Sequence, residues 1–189
     1  MYLVIGAIAA IGIVSWLSSE EKNTCANYQA SSNRLFKETH LRRQQIAEKR
    51  AYYASEKEFY THVDLHFSSM QTASAMYEQY ENHKKIVAMF KNKQQSFGNC
   101  IGELKKQRDA ASSTKKQAIR DQLKQIRQQF NETKEQLILL AEAKEDLLIE
   151  VRQLNLATRE YKLYIKDNCG RKGRDWYERG LERARLRSA

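Results

Sequence analysis

Hydrophobic and polar positions follow two different patterns along this chain: an uncharged apolar run at its start and a long amphipathic body after it. Residues 1–17 carry no charged side chain. From Ile119 to Ile165, alternate steps of four and three residues reach 14 positions, and 11 of them are apolar, which places them on one side of a helix that must pack against another helix. The seam consists of Ile119, Leu123, Ile126, Phe130, Leu137, Leu140, Leu147, Val151, Leu154, Tyr161 and Ile165.

The first half of the body has a looser helical pattern that is richer in aromatic residues. Its apolar positions are Tyr60, Val63, Phe67, Met70, Ala73, Tyr77, Tyr80, Val87 and Phe90. Aromatic side chains on one helix interleave well with leucine and isoleucine on another. We therefore expect this face to pack against the seam of the second half.

Between the halves, Gly98 and Gly102 bracket Asn99, which is the strongest turn chemistry in the chain. A turn at 98–102 predicts two antiparallel helical arms, 35–97 and 103–167. A second break at Ala110–Thr114 would instead give three helices of unequal length. A continuous parallel dimer is a further geometry, because two glycines cost a helix only about 2 kcal/mol.

The composition agrees with a helical body, since the chain has no proline and only seven glycines. Residues 20–34 are predicted to form a juxtamembrane linker, and residues 168–189 a C-terminal tail. The predicted fold class is all-α, with a single N-terminal transmembrane helix followed by a long antiparallel helical hairpin or coiled coil.

As a helix, residues 1–19 would reach about 28 Å, close to the thickness of a bilayer's hydrocarbon core. A cleavable signal peptide is the alternative, but neither a positive N-terminal region nor a small-residue cleavage motif is present. A retained anchor is therefore predicted. Its apolar residues are Tyr2, Leu3, Val4, Ile5, Ile8, Ile11, Ile13, Val14, Trp16 and Leu17.

Basic residues follow the apolar run and none precedes it, so the positive-inside rule places the body in the cytoplasm rather than the periplasm. The predicted localisation is a single-pass protein of a bacterial-type inner membrane.

The net charge of +10 favours acidic partners. Seven basic residues in the tail predict a contact with anionic lipid or with an acidic protein. They are Arg171, Lys172, Arg174, Arg179, Arg183, Arg185 and Arg187. Most tyrosines fall on the apolar face of the first arm, which argues against a role in nucleic-acid stacking.

Candidate chemistry is sparse. His62 and His66 share one face of a helix, but a zinc site needs a third ligand, so we interpret them as solvent-facing residues. No phosphate-binding loop or nucleophile motif occurs, and a two-helix seam offers no cleft that would shift a pKa. The sequence thus predicts no enzyme, no metal and no cofactor. Cys25, Cys100 and Cys169 form no CxxC motif, which leaves free thiols and an intermolecular disulfide both open.

These patterns together predict a membrane-anchored coiled-coil scaffold or tether that binds a protein partner through the 119–165 seam. The same seam also allows a homo-oligomer. A regulatory subunit of a membrane complex differs from this only in its partner, and the sequence does not separate the two.

The layout also resembles the inner-membrane spanins of phages. Shared features are one N-terminal membrane helix, a proline-poor coiled coil, and cysteines that can link protomers, with the stretch Tyr164–Cys169 as a local similarity. The resemblance implies a lysis protein with a periplasmic coiled coil. The charge balance departs from it, as does a tail that runs 20 residues past the last cysteine.

Overall fold

The computed structural model describes residues 16–53 and 58–188, and these residues form four helices without a strand. The helices are α1 (Ser19–Tyr52), α2 (Phe59–Ala110), α3 (Ser113–Asn168) and α4 (Gly170–Ser188). The predicted all-helical fold is confirmed for these parts of the chain. Helices of 52 and 56 residues are possible because no proline interrupts them.

Local capping chemistry sets the start of α1. The Ser18 backbone N–H donates to Glu21 Oε2 over 2.7 Å, and the Glu21 N–H donates to Ser18 Oγ over 3.2 Å. This reciprocal pair is a capping box, which satisfies two of the free N–H groups at a helix start. The predicted linker 20–34 is therefore helix, because residues 20–34 lie within α1.

The turn predicted at 98–102 is wrong, because α2 runs through both glycines and ends only at Ala110. A glycine in a helix costs about 1 kcal/mol, which tertiary packing readily outweighs. At Gly98, the space beside the backbone is occupied by the Phe130 ring of α3. The chain breaks instead between Ala110 and Ser113, and a further break within the first predicted arm separates α1 from α2.

The chain divides into two compact units. Unit 1 comprises the described residues up to Asn33 together with Tyr80–Asp146. Within it, α1 runs antiparallel to α2, since Glu21 pairs with Lys93 and Tyr28 bonds to His83. The α2 and α3 segments are also antiparallel, and the apolar core between the helices includes Leu17, Cys25, Ile86, Phe90, Leu123 and Leu140.

Unit 2 comprises Arg34–Gln79 and the described residues from Leu147 onward. Here α1 runs parallel to α3, since Arg43 pairs with Glu150 and the Arg50 guanidinium lies over the Tyr161 ring. The helix α2 contributes Leu65, Ala73 and Met76 to the core, and α3 contributes Leu147, Val151, Leu154, Tyr161 and Ile165. The short helix α4 packs against both α2 and α3.

Within residues 16–53 and 58–188, no helix has the length and apolar character needed to cross a membrane. This corrects the predicted transmembrane helix and the predicted single-pass inner-membrane localisation, and the lysis alternative depended on the same helix. Trp16 and Leu17 were predicted to lie in lipid, but Leu17 is buried in the protein and the Trp16 ring meets Phe90 and Phe97 edge-on. The Trp16 Nε1–H donates to Glu132. The other predicted anchor residues, Tyr2 to Val14, lie outside the described residues.

Candidate protein-interaction surface

The helix α4 is joined to α3 by a tight corner. Gly170 has φ 60°, a left-handed conformation that favours glycine. Gly173 is buried, and a Cβ added there would clash with the Ile165 carbonyl oxygen. These two glycines allow α4 to turn back closely along α3, so the basic tail forms an ordered helix that packs on unit 2.

Two aromatic residues attach α4 to the rest of unit 2. The Trp176 ring meets Phe59 and His66 of α2 edge-on, with centroids 6.5 and 5.3 Å apart. On the other side of α4, the Tyr177 ring lies beneath the ammonium groups of Lys162 and Lys166 of α3. The face of α4 between these two rings therefore points into unit 2, and the remaining faces are left to the surface.

The interior side of α2 in unit 2 is unusually polar. His62, His66, Thr72 and Gln79 are all buried there. The prediction that the two histidines face solvent is therefore wrong. His62 Nδ1 and the Tyr161 hydroxyl are 2.9 Å apart, and burial raises the pKa of Tyr161 to about 12. A buried neutral hydroxyl is consistent with a structural hydrogen bond between α2 and α3.

His66 is satisfied less completely. Its Nδ1 is buried without a hydrogen-bond partner among the described residues. Burial lowers the pKa of His66, and the nearby Lys162 ammonium lowers it further, while a hydrogen bond to the Thr158 backbone acts in the opposite direction. The neutral imidazole is therefore the favoured form beneath Trp176.

The outer side of α2 in unit 2 carries a stripe of large apolar side chains among polar residues. Phe67, Met70 and Tyr77 are 49, 47 and 51% exposed, and helical spacing places them on one stripe. Tyr60, which is also exposed, lies beneath the Lys172 ammonium of α4. The helical pattern of this stretch predicts that these residues pack on the seam, and that prediction is wrong. We call Phe67, Met70 and Tyr77 the outer face of α2.

The predicted seam of α3 lies inside the protein. Leu123, Leu140, Leu147, Val151, Leu154, Tyr161 and Ile165 are buried, and Ile119, Ile126, Phe130 and Leu137 are half-buried. Unit 1 and unit 2 each use their part of it for packing within this chain. The seam is therefore not an exposed surface for a partner. A second, exposed row on α3, at exact heptad spacing, consists of Ile149, Leu156 and Leu163.

The predicted basic tail residues all lie on α4. Arg171, Lys172, Arg174, Arg179, Arg183, Arg185 and Arg187 are exposed. Arg171 lies 3.7 Å from Asp175, and the Arg183 Nε–H donates to the Arg179 carbonyl. The cationic groups on the helix surface outnumber the carboxylates of Asp175, Glu178 and Glu182.

Polar groups that line one cavity of unit 2 are engaged in ion pairs and hydrogen bonds. Among the residues described, no three His, Cys, Asp or Glu side chains come together around a cation position. A cavity of about 120 Å³ in unit 2 is lined partly by Arg43, Ser69 and Thr72. Arg43 pairs with Glu150, and both hydroxyls donate to carbonyls of their own helix. Arg43, Ser69 and Thr72 are therefore engaged in contacts within the protein.

The three cysteines are free thiols in this structure, and Cys25 and Cys169 are buried. Burial raises the pKa of both thiols, and Glu21 raises that of Cys25 further. The thiol form, which is the less reactive form, is therefore favoured at both positions.

The exposure of the outer face of α2 was not predicted from sequence, because the apolar positions within residues 60–77 were assigned to the interior. The sequence did contain a second helical pattern that could have indicated the buried side. It consists of His62, Leu65, His66 and Met76 on the opposite side of the same stretch. The comparisons with known proteins add no assignment: no family model, curated protein or solved structure matches this chain.

Proposed function

We propose that this protein is a non-catalytic helical scaffold that binds a protein partner through the surface of unit 2. The observation that carries the proposal is the outer face of α2, where three large apolar side chains are about half exposed while polar residues fill the interior side. Exposed apolar clusters mark interaction sites more often than exposed single residues do.

The outward orientation of Phe67, Met70 and Tyr77 supports the proposal because burial alone would favour the opposite orientation. If burial alone decided the rotation of this helix, Phe67, Met70 and Tyr77 would point inward, because fully burying such side chains contributes about 1.5–3 kcal/mol each. The inward side instead holds His62, which bonds to Tyr161, and the apolar residues Leu65 and Met76. A partner that covers the outer face would bury the apolar surface that stays exposed in the isolated chain.

Site-specific photo-crosslinking tests the proposal. A benzophenone amino acid placed at Phe67 should form a discrete protein adduct in cells that produce the chain. The matched control is the same probe at Ile138, which is 52% exposed on α3 in unit 1 and should give no such adduct. Replacing Met70 by glutamate should remove the adduct at Phe67, because the charge would be desolvated when the partner binds.

Three results would count against a protein-binding scaffold. They are equal labelling at Phe67 and Ile138, labelling at Phe67 that the Met70→Glu change leaves intact, and adducts that nuclease removes but protease does not. A regulatory subunit would give the same positive result and is included in the proposal.

A further inference from the structure

The surface beside the outer face of α2 is formed by α4, and the direction of α4 decides which of its residues lie there. Moving along α4 from Gly173 to Gly180, the neighbouring residue of α3 changes from Ile165 to Lys162, so α4 runs antiparallel to α3. The helix α2 is also antiparallel to α3, because His62 meets Tyr161 while His66 meets Thr158, earlier on α3. Consequently α4 runs in the same direction as α2.

The side of α4 that faces α2 can be followed beyond Trp176. Arg183 and Arg187 come seven and eleven residues after Trp176, which places them on the same side of the helix. At 1.5 Å per residue they lie roughly 10 and 16 Å farther along α4 than Trp176. Trp176 packs at Phe59 and His66, so this part of α4 lies level with the stretch of α2 that contains Phe67 and Met70.

The cationic charge of this region comes from α4, whereas the exposed Asp64 and Glu78 of α2 are acidic. Residues 179–188 contain Arg179, Arg183, Arg185 and Arg187 against one carboxylate, Glu182. In the parts of the chain that the structure describes, neither Arg183 nor Arg187 forms an ion pair within 4.0 Å. The surface therefore has an apolar wall, the outer face of α2, and a cationic wall on α4.

We infer that the occupant of this surface is a negatively charged amphipathic helix of a partner protein, an inference that rests on the proposed function. Its apolar stripe would cover Phe67, Met70 and Tyr77, and its carboxylates would pair with Arg183 and Arg187. A helix binds an apolar surface through its own residues at positions i, i+3 or i+4, and i+7, and such a stripe can lie along Phe67, Met70 and Tyr77, which stand at i, i+3 and i+10 on one side of α2. Complementary charge beside such a stripe selects the partner and its orientation.

The composition of the surface argues against two other occupants. A nucleic acid would engage the arginines but would leave three apolar side chains in water. A second copy of this chain carries a net charge of +10 and would bring further positive charge to a cationic wall.

Selection of displayed helical peptides against the full-length chain tests the inference. The enriched peptides should share an apolar stripe at helical spacing and an excess of Asp and Glu. Their affinity should fall at least tenfold in the double variant Phe67→Ser/Met70→Ser, and in Arg183→Gln/Arg187→Gln. The two matched controls are Leu156→Ser/Leu163→Ser on the exposed row of α3 and Arg120→Gln/Arg127→Gln in unit 1, and both should change affinity less than twofold. All eight positions are exposed, so circular dichroism should show unchanged folding.

The inference is overturned if no peptide is enriched, if the enriched peptides are basic or lack the stripe, or if binding ignores either test variant. It is also overturned if an RNA or DNA duplex binds with a dependence on Arg183 and Arg187 but not on Phe67 and Met70. The proposed function has a separate readout. A protein adduct at Phe67 combined with non-acidic peptides would reject only the inferred occupant, whereas the absence of both adduct and peptides would reject both.

Discussion

His83 in unit 1 and His62 in unit 2 are 21 residues, or three heptads, apart on α2, and each meets a tyrosine from a neighbouring helix. His83 bonds through Nδ1 to the Tyr28 hydroxyl of α1 and through Nε2 to the Leu140 carbonyl of α3. Since a carbonyl only accepts, Nε2 must carry the proton and Nδ1 must accept from Tyr28. One neutral imidazole thereby connects all three helices of unit 1.

Unit 2 makes the same connection with different groups. His62 meets Tyr161 of α3, and the third helix contributes the Arg50 guanidinium, which stacks 4.0 Å above the Tyr161 ring. One helical turn after His62, the buried Nδ1 of His66 has no partner in the described residues. Among the described residues, unit 1 also has one such buried atom, Gln136 Oε1 of α3, so the two units differ in which groups join their helices rather than in the number of unpaired atoms.

The apolar residues of α2 also differ in exposure between the two units. In unit 1 they point inward, as Ile86 and Phe90 are 3 and 0% exposed, whereas in unit 2 Phe67 and Met70 point outward. The contrast teaches that one continuous helix can bury its large apolar side chains in one unit and expose them in the other. Departures from the usual inside–outside pattern tend to occur at functional surfaces, where binding sets the requirement.

Paired alanine substitutions on α2 give the largest expected contrast. Phe90→Ala should lower the free energy of unfolding by about 3–5 kcal/mol, because it opens a cavity beside the Trp16 ring. Phe67→Ala should change it by less than about 0.5 kcal/mol, because that ring is half exposed. Urea titration followed by circular dichroism measures both. Similar losses for the two variants would mean that the outer face of α2 is part of the core.

Removal of His83 should be the next most damaging change. His83→Leu leaves the Leu140 carbonyl and the Tyr28 hydroxyl buried without this partner, which should cost about 2–3 kcal/mol. Tyr28→Phe removes only one hydrogen bond and should cost about 1 kcal/mol. Thermal unfolding of the two variants checks the order. A His83→Leu variant as stable as the parent protein would show that the three-helix connection does not stabilise unit 1.

The same glycine-to-alanine change should have opposite signs in the two units. Gly173→Ala would push α4 away from the Ile165 carbonyl and should cost about 1–3 kcal/mol of docking energy. Gly102→Ala in unit 1 meets no atom within 4 Å and should stabilise α2 by roughly 0.5–1 kcal/mol. Trp176 fluorescence in a Trp16→Phe background reports α4, and unfolding curves report α2. Unchanged Trp176 emission in Gly173→Ala would contradict the close corner.

Acid should have the smallest expected effect, and it should destabilise both units because their buried histidines are neutral in the folded protein. Burial lowers the pKa of His83 and of His66 below the usual 6.5, so the unfolded chain binds more protons than the folded one. The stability that comes from keeping them neutral is present above pH 6.5 and is lost as the pH falls through the lowered folded pKa. The loss cannot exceed about 1.4 kcal/mol per pH unit for each histidine.

Melting temperatures measured between about pH 8 and pH 5 test this linkage. The slope should become shallower in His83→Leu, because this variant lacks one of the two buried imidazoles whose pKa is lowered. A slope that His83→Leu leaves unchanged would assign the acid sensitivity to other groups.

Individual elements show which features of the fold can be predicted from local sequence. Helix could be predicted almost everywhere because no proline is present and apolar residues recur at helical spacing. The capping box of Ser18 and Glu21 is also readable from the chain, although the sequence analysis did not use it. The turn at 98–102 failed because a local glycine preference of about 1 kcal/mol per residue is smaller than the packing that continues α2.

By itself the sequence determined that the chain is helical, that α3 carries one strong apolar stripe, and that its end is rich in arginine. These properties follow from residue types and short spacings, which act within a few turns of a helix. Only the tertiary structure decided that α2 turns Phe67 and Met70 outward in unit 2 and that α4 folds back beside them. The reason is that α2 has two faces of similar helical spacing, one with the histidines and one with Phe67 and Met70. The neighbouring helices decide which face is buried, because Tyr161 contacts His62 and Trp176 contacts His66.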